Sequence, residues 1–451
     1  MEPGPRAVQR WNVADLEARL CRILDLAAGV LDRFGVNGFT DQESPVYNCG
    51  PEKVVAETAM LAYAASGASS YPQIRERLDT LVRLLVPLAR GERALLAMAL
   101  QPALATKFAL PHVLLTWMGH VDADCDEFVR ACLRSAVRNG HDRSPTAAVE
   151  YAWLCSRWSR PELANGRRVR PTRPLLNWPL DVFEGLRDDV YAFTHLVMYG
   201  TDFGYRARGL GHGTLHVLAM SEAMVARYLD AEDYDLTGEI LLAWPMTSAR
   251  WSPVAAFGFR VLARVEDDVG LLPCGNVDTN RLQRLSGEAR TTYALGMAYH
   301  TAYVMGFLCA TALRSGRTPP TGISGPTFEP VVLDQLRKYL DDSQGHWQAD
   351  FASLSRAEQL ILTPLVLAVA LVQKCRRRNY DAALDLLRLA DKHGLADTLV
   401  CHQASQLLER IARCSTVLHA KRRMTRWELP EPPSGFRDEG RLRNGTTRSA
   451  P

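Results

Sequence analysis

Apolar side chains recur along this chain at steps of three and four residues, the spacing that places them on one face of an α-helix. One such stripe near the N-terminus consists of Leu16, Leu20, Ile23, Leu24, Ala27 and Leu31. Pro51 precedes a second stripe and suits the first position of a helix. Ser355 and Glu358 have the spacing of a capping box ahead of the apolar run 360–372. These patterns together predict about 15 to 18 helices.

The chain lacks a series of alternating apolar and polar positions joined by hairpin dipeptides, so little or no sheet is expected. Two short segments echo each other: Asp-Tyr-Asp at 233–235 and Asn-Tyr-Asp at 379–381 each precede apolar residues at helical spacing. Stacked helical hairpins produce such echoes. The sequence therefore predicts an all-α fold built from helical hairpins, arranged as an (α/α) toroid or as a solenoid.

Segment 159–179 interrupts the helical pattern because it contains four prolines and five arginines. We interpret it as a linker between an N-terminal helical subdomain, residues 1–158, and a C-terminal one, residues 180–423. A loop that binds anions through its arginines is the alternative interpretation. Residues 424–451 are polar and rich in proline, and we expect them to form a disordered tail.

Composition excludes some classes of function. The 53 basic and 50 acidic residues give a net charge of +3, which argues against a protein that coats nucleic acid. The apolar run 360–372 is too short to span a bilayer, and no apolar signal segment opens the chain. We therefore expect a cytoplasmic protein without membrane contact. The ten cysteines are scattered and form no CxxC pair, so reduced thiols are expected.

The densest group of polar residues in an apolar setting begins at Tyr191. Helical spacing places Tyr191, His195 and Tyr199 on one face, and Asp202 follows in the next loop. A histidine beside a carboxylate is the usual arrangement of a general base or acid. We predict that Asp202 orients His195 for proton transfer, with Tyr199 alongside. In the alternative, Asp202 caps a helix and His195 is a buried, hydrogen-bonded histidine.

Three further histidines extend this candidate site. His212 and His216 stand four residues apart, a spacing that can also chelate a metal from one helix face. His300 lies inside the apolar run 295–308. We expect these histidines to face one cavity with His195 and to bind substrate there, together with Phe203.

A second candidate is the acidic segment 120–127, which contains Asp122, Asp124, Asp126 and Glu127. Carboxylates at this density could hold Mg²⁺ and a diphosphate, or could protonate an alkene. Acidic residues at the start of a helix also stabilise its N-terminal dipole, and this is the interpretation that we favour.

A third constellation resembles the zinc site of lanthionine cyclases, which are (α/α) toroids. His212 in Gly-Leu-Gly-His-Gly, Cys274 before a glycine, and the Cys401–His402 pair occur in the order of that family's ligands. The spacing between the two cysteines is longer here, and Gln403 stands where the family has glycine. The resemblance implies a zinc-dependent enzyme as one alternative.

The segment 194–204, THLVMYGTDFG, resembles the hallmark of the DUF6895 family, and segments 234–244, 269–273 and 299–301 are also similar to it. The resemblance extends over most of residues 10–420. It implies an all-α cytosolic protein of actinobacteria and their relatives, often encoded beside genes of specialised metabolism. It implies no particular reaction, but it singles out His195, Tyr199, Asp202 and His300.

Two classes of function follow. The first is an enzyme with a central cavity, in which the histidines and Asp202 tailor or cyclise an apolar or peptide precursor of a natural product. The second is a non-catalytic helical scaffold that binds a peptide or a partner enzyme in a groove. We assign no metal to the site, and the sequence does not identify a cofactor.

Overall fold

The computed structural model describes residues 12–34, 39, 50–136, 145–158, 179–275, 277–341 and 345–425. Within these ranges the secondary structure consists of twenty α-helices and two short 3₁₀ segments, with no strand. The all-α prediction is therefore confirmed. The toroid or solenoid arrangement stays a prediction.

The helices of the first half are α1 (Val13–Arg33), α2 (Pro51–Ser66), α3 (Pro72–Arg90), α4 (Glu92–Leu100), α5 (Ala105–Trp117), α6 (Ala123–Ala136), α7 (Pro145–Arg157), α8 (Arg187–Gly200), α9 (Thr214–Asp230) and α10 (Tyr234–Leu241). Those of the second half are α11 (Ala243–Thr247), α12 (Pro253–Val269), α13 (Thr279–Arg284), α14 (Gly287–Ala312), α15 (Pro330–Arg337), α16 (His346–Ala352), α17 (Arg356–Ile361), α18 (Thr363–Arg376), α19 (Tyr380–Lys392) and α20 (Leu399–Thr425). Helices such as α11, with five residues, are too short to leave an apolar stripe, which is why the pattern predicted fewer.

The predicted helix starts are confirmed where the structure describes them. Pro51 opens α2. The Ser355 hydroxyl accepts the Glu358 N–H at 3.3 Å, and the Glu358 carboxylate accepts the Ser355 N–H at 3.1 Å. The two echoing segments also share a cap, because Asp233 accepts the Leu236 N–H as Asn379 accepts that of Ala382, each at 3.2 Å.

Helix α14 has 26 residues and lies in the interior. From Met297 to Ala312 it is buried on all sides apart from His300. A helix that is apolar all round needs neighbours on every side. Helices α1, α2 and α10 pack against it, so α14 is the element that other helices surround.

The chain divides into a compact unit of residues 1–404 and a second unit of residues 405–451. Within the first unit, α1 and α2 pack against α14, so helices from both sides of the predicted linker share one core. Nearly all of that linker, 159–178, and the tail from 426 onward lie outside the described residues. In the second unit, residues 405–425 continue α20, and Arg413 donates to Glu409 at 2.6 Å.

Among the described helices, none is by itself both long and apolar enough to cross a membrane. The pair Glu92–Leu100 and Pro102–Trp117 meets the length and composition test only together, and it is bent by 112°.

Candidate active site

Helix α14 places His300 among carboxylates from two other helices. Its Nδ1 lies 3.2 Å from Glu57 Oε2 on α2. On its other side, Nε2 lies 3.6 Å from Asp235 Oδ1 and 3.7 Å from Glu239 Oε1, both on α10. We call these four residues the histidine–carboxylate cluster. One imidazole thus faces three acids that are all distant from it in the sequence.

The local geometry of two helices builds one side of the cluster. Asp235 and Glu239 are four residues apart on α10, so their side chains share a face. On the adjoining helix α8, the Tyr191 hydroxyl donates to Asp235 at 2.5 Å, and the Thr194 hydroxyl donates to Glu239. His195 also faces this carboxylate, with its Nε2 3.9 Å from Glu239 Oε1. Helix α8 therefore orients both acids of α10.

The cluster is open to solvent on its imidazole side. The His195 side chain is 37% exposed and that of His300 is 30% exposed, whereas Glu239 is 2% exposed. The carboxylates therefore lie beneath the two imidazoles. The two imidazole side chains are therefore the more exposed part of the cluster, and Glu239 is its buried part.

The neighbouring carboxylates favour the protonated form of His300. Burial disfavours the imidazolium, but the nearby carboxylates of Glu57, Asp235 and Glu239 outweigh it and raise the pKa of His300 well above 6.5. His300 is consequently a cation at neutral pH. A cationic imidazole that reaches solvent can act as a proton donor.

The pKa values of the three acids are shifted in different directions. Burial opposes ionisation of Glu57, yet the His300 charge, their hydrogen bond and Lys53 lower the pKa of Glu57 from 4.5 to about 2. Burial opposes ionisation of Glu239 as well, but its neighbours His300 and His195 lower its pKa. Burial raises the pKa of Asp235 even though His300 opposes that change. Environments that separate the pKa values of neighbouring groups are typical of acid–base sites.

Tyr199 and Glu150 adjoin the cluster on the side of His195. The Tyr199 ring meets that of His195 edge-on at 6.1 Å, and its hydroxyl is hydrogen-bonded to Glu150 on α7. Burial raises the pKa of Glu150, although His195 and Tyr199 act against that shift. Glu150 also lines a small cavity of about 100 Å³ together with Lys107. The predicted alignment of Tyr191, His195 and Tyr199 along α8 is therefore confirmed by their ring contacts.

Asp202 does not take up the predicted pairing with His195, which faces Glu239 instead. The Asp202 carboxylate is buried and accepts the Tyr63 hydroxyl at 2.8 Å and the Trp153 Nε1–H at 2.7 Å. Arg157 Nη1 lies 2.9 Å from its other oxygen. We call these four residues the Asp202 hub.

The backbone explains why Asp202 turns away from His195. Thr201 ends α8, and Asp202 and Phe203 then adopt positive φ angles of 55° and 49°. This left-handed turn, which continues through Gly204 at φ 78°, redirects the chain and points the carboxylate at α2 and α7. The sequence analysis placed Asp202 in the loop after this helix, as the structure does, but it did not anticipate the left-handed backbone that directs the carboxylate to α2 and α7.

The other predicted substrate-binding residues are placed as follows. Phe203 is fully buried and packs between the rings of Tyr63, Trp153 and Phe307, so it belongs to the aromatic core. His216 lies on α9, and its buried Nε2 has no hydrogen-bond partner among the described residues. The side chain of His212 lies outside the described part of the structure. Of the predicted histidines, only His195 and His300 are shown to share an acid.

The predicted metal sites find no support in the geometry. Within the ranges that the structure describes, no group of three or more His, Cys, Asp or Glu side chains is arranged to hold a metal ion. Cys401, from the resemblance to lanthionine cyclases, is buried with its Sγ 3.6 Å from the Leu395 carbonyl oxygen.

Acids of segment 120–127 form hydrogen bonds that stabilise the fold. Asp122 accepts the Cys125 N–H at 2.9 Å at the start of α6, as the capping interpretation predicted. Asp126 accepts the Trp158 Nε1–H at 2.6 Å and is hydrogen-bonded to the fully buried His112 at 2.8 Å. These acids are therefore engaged in local structure.

The sequence analysis missed the four acids that surround the imidazoles: Glu57, Glu150, Asp235 and Glu239. Two of them left a signal, because Glu57 and Glu239 each interrupt an otherwise apolar stretch of a helix. A charged residue on a buried helix face needs a partner, and that requirement alone could have marked both positions.

Comparison with known proteins adds a family but no activity. Neither the curated proteins nor the solved structures contain a match to this chain. The family described as Domain of unknown function (DUF6895) matches residues 20–310, a range that includes all the residues of the histidine–carboxylate cluster and of the Asp202 hub. The match extends over more than half of the chain, and the chain belongs to the DUF6895 family.

Proposed function

We propose that this chain is an enzyme that catalyses proton transfer at the histidine–carboxylate cluster. The observation that carries the proposal is the partly exposed His300 imidazole, whose two ring nitrogens face the carboxylates of Glu57, Asp235 and Glu239. Although burial opposes it, these carboxylates raise the pKa of His300 and so favour its imidazolium form. Such a site offers a proton and a place to receive one at the same time. The substrate class is a small molecule or a peptide.

We propose a role for each group. His300 Nε2–H donates a proton to a basic atom of the substrate. Glu239, which faces both imidazoles, or His195 removes a proton from a second atom. Tyr191 and Thr194 are positioning residues, because their hydroxyls fix the carboxylates of Asp235 and Glu239.

The proton balance restricts the reaction type. One proton enters the substrate and one leaves it, so no oxidant or reductant is consumed. Isomerisation and cyclisation of an organic precursor meet this condition. A tailoring step of this kind in actinobacterial specialised metabolism, carried out in the cytoplasm, is the biological setting that we propose.

The test compares reaction mixtures in D₂O. Wild-type protein and His300→Gln are incubated with a small-molecule extract of cells that encode the chain, and products are followed by mass spectrometry. We expect wild type to convert a compound to an isomer or to introduce deuterium, and His300→Gln to slow this conversion about 10²- to 10⁴-fold. His393→Gln, a histidine that ends α19, is the matched control and should retain full activity.

If His300→Gln causes no loss of conversion, the result supports the second candidate, a non-catalytic scaffold for a peptide or partner enzyme. A specific feature favours this candidate: a largely apolar cavity of about 170 Å³ lies between α2, α3, α4 and α5, lined by residues that include Val55, Leu88, Phe108 and Pro111. If folded His300→Gln matches wild type in every conversion, the catalytic proposal is wrong.

A further inference from the structure

The histidine–carboxylate cluster contains more hydrogen-bond acceptors than donors. Each ionised carboxylate offers about four lone-pair positions, so Glu57, Asp235 and Glu239 present about twelve. The donors near them include the hydroxyls of Tyr191, Thr194 and Tyr299, and His300, whose Nδ1 lies 3.2 Å from Glu57. Lys53, 3.7 Å from Glu57, adds one ammonium at the edge. The remaining acceptor capacity needs donors from elsewhere.

One buried carboxylate oxygen of the cluster lacks a hydrogen-bond donor. Asp235 is 8% exposed, and its Oδ1 accepts no hydrogen bond among the described residues. Its neighbour is His300 Nε2 at 3.6 Å, which is beyond hydrogen-bonding distance. Leaving a buried carboxylate oxygen unsatisfied is costly, so this atom marks a place that a donor group would fill.

The spacing around Glu239 leads to the same conclusion. Its Oε1 lies 3.7 Å from His300 Nε2 and 3.9 Å from His195 Nε2, so both separations exceed a direct hydrogen bond. Polar groups at such distances are commonly bridged by a third group that bonds to each. The two carboxylates on this side of the cluster are those of Asp235 and Glu239, and the two imidazoles beside them are partly exposed.

We propose that the cluster recognises its substrate through a positively charged amino or guanidinium group, which donates N–H bonds to Asp235 and Glu239. This inference rests on the proposed function and names the substrate class for that site. Ammonium and guanidinium groups are donors only, with three and five N–H bonds, and so complement an acceptor-rich site. They also carry the charge that the ionised Glu57 and Glu239 are placed to attract.

The experiment measures binding without turnover on the full chain. Three matched probes are titrated at constant ionic strength by calorimetry: butylammonium, butanol and butyltrimethylammonium. The first has charge and N–H donors, the second has no charge, and the third has charge without N–H donors. We expect butylammonium, or its guanidinium counterpart, to bind about tenfold or more tightly than the other two.

Two variants locate the site. Asp235→Asn, which keeps the shape of the side chain and removes its charge, should weaken butylammonium binding about tenfold or more. Asp385→Asn is the matched control, since this exposed carboxylate on α19 pairs with Arg388 and belongs to no part of the cluster. If Asp235→Asn does not fold, as judged by circular dichroism, Glu239→Gln replaces it with the same expected loss.

Equal binding of butanol, equal binding of the quaternary probe, or unchanged affinity in the folded cluster variant would each overturn this inference. The proposed function is judged separately, since conversion in D₂O does not depend on these probes. A cluster that transfers protons but ignores butylammonium would retain the enzyme proposal and remove only the cationic substrate.

Discussion

The Asp202 hub and the histidine–carboxylate cluster are both built around buried carboxylates, but different groups face these carboxylates in the two regions. Asp202 Oδ1 accepts hydrogen bonds from Tyr63 and Trp153, and Arg157 forms an ion pair with Oδ2, so every group named against this carboxylate is a donor or a cation. In the cluster, three acids surround one imidazole and part of their capacity is unused. The first arrangement pairs one acid with a cation and two donors, whereas the second places several acids around one imidazole, and only for the second do we propose a ligand.

One helix supplies both regions. Along α8, Tyr191, Thr194 and His195 face the acids of α10, and the turn that ends the helix delivers Asp202 to α2 and α7. The first residues of the motif THLVMYGTDFG therefore face the acids of α10, and Asp202 near its end contacts α2 and α7. Residues that stand together in a motif need not stand together in a site.

The largest expected effect comes from opening the hub. Asp202→Ala removes the acceptor of two buried donors and leaves Arg157, whose side chain is 12% exposed, without its partner. Breaking a buried pair in this way lowers the free energy of unfolding by about 3–5 kcal/mol. Urea denaturation followed by circular dichroism measures this loss. A change of less than about 1 kcal/mol would show that the hub is not a structural centre.

The same experiment on the cluster should give the reverse result. Burial raises the pKa of Asp235, so folding disfavours its ionised form. Asp235→Asn removes that charge from a crowded acidic site. We expect the free energy of unfolding at pH 7 to stay within about 1 kcal/mol of wild type or to increase. A loss as large as that of Asp202→Ala would remove the distinction between the two regions.

Dependence on pH should also separate the regions. The folded pKa of His300 is raised above its unfolded value of 6.5, so its stabilising contribution is complete below pH 6.5 and is lost as the pH rises through the folded pKa. The excess stability of wild type over His300→Gln should therefore shrink as the pH increases above 6.5. Denaturation series at several pH values measure it. An excess that grows with pH would contradict the assigned protonation.

The smallest expected effect compares two hydroxyls. Tyr63 donates to Asp202 and Tyr191 donates to Asp235, so each phenylalanine variant removes one hydrogen bond to a carboxylate. Tyr63→Phe should lower the free energy of unfolding by about 1–3 kcal/mol, because a bond to a charged group is lost from a closed hub. Tyr191→Phe should cost less than Tyr63→Phe, since water can reach its partly exposed site. Equal losses in thermal denaturation would argue against the comparison.

The sequence predicted the elements better than it predicted the site. Helical spacing, Pro51 and the capping pair Ser355–Glu358 are local signals, and the structure confirms them because they depend on neighbouring residues alone. His195 and His300 were also recognised, since a polar residue in an apolar stretch is visible in sequence. These parts of the account needed no knowledge of tertiary contacts.

The partners of the histidines depend on packing, and there the sequence was misleading. His300 meets Glu57 only because α2 and α14 lie side by side, although 243 positions separate them in the chain. Asp202 is seven positions from His195, yet a left-handed turn sends it to Tyr63 on α2. Nearness in sequence suggested Asp202 as the partner of His195, whereas the structure places Glu239 of α10 opposite His195.

The most direct test of the account is the pKa of the His300 imidazole, measured by NMR titration of ¹⁵N-histidine-labelled protein with the signal assigned through His300→Gln. We predict a pKa well above 6.5, because Glu57, Asp235 and Glu239 stabilise the imidazolium, and a lower pKa in Glu57→Gln. A His300 pKa at or below 6.5 would contradict the account, since the cluster would then hold no proton to transfer at neutral pH.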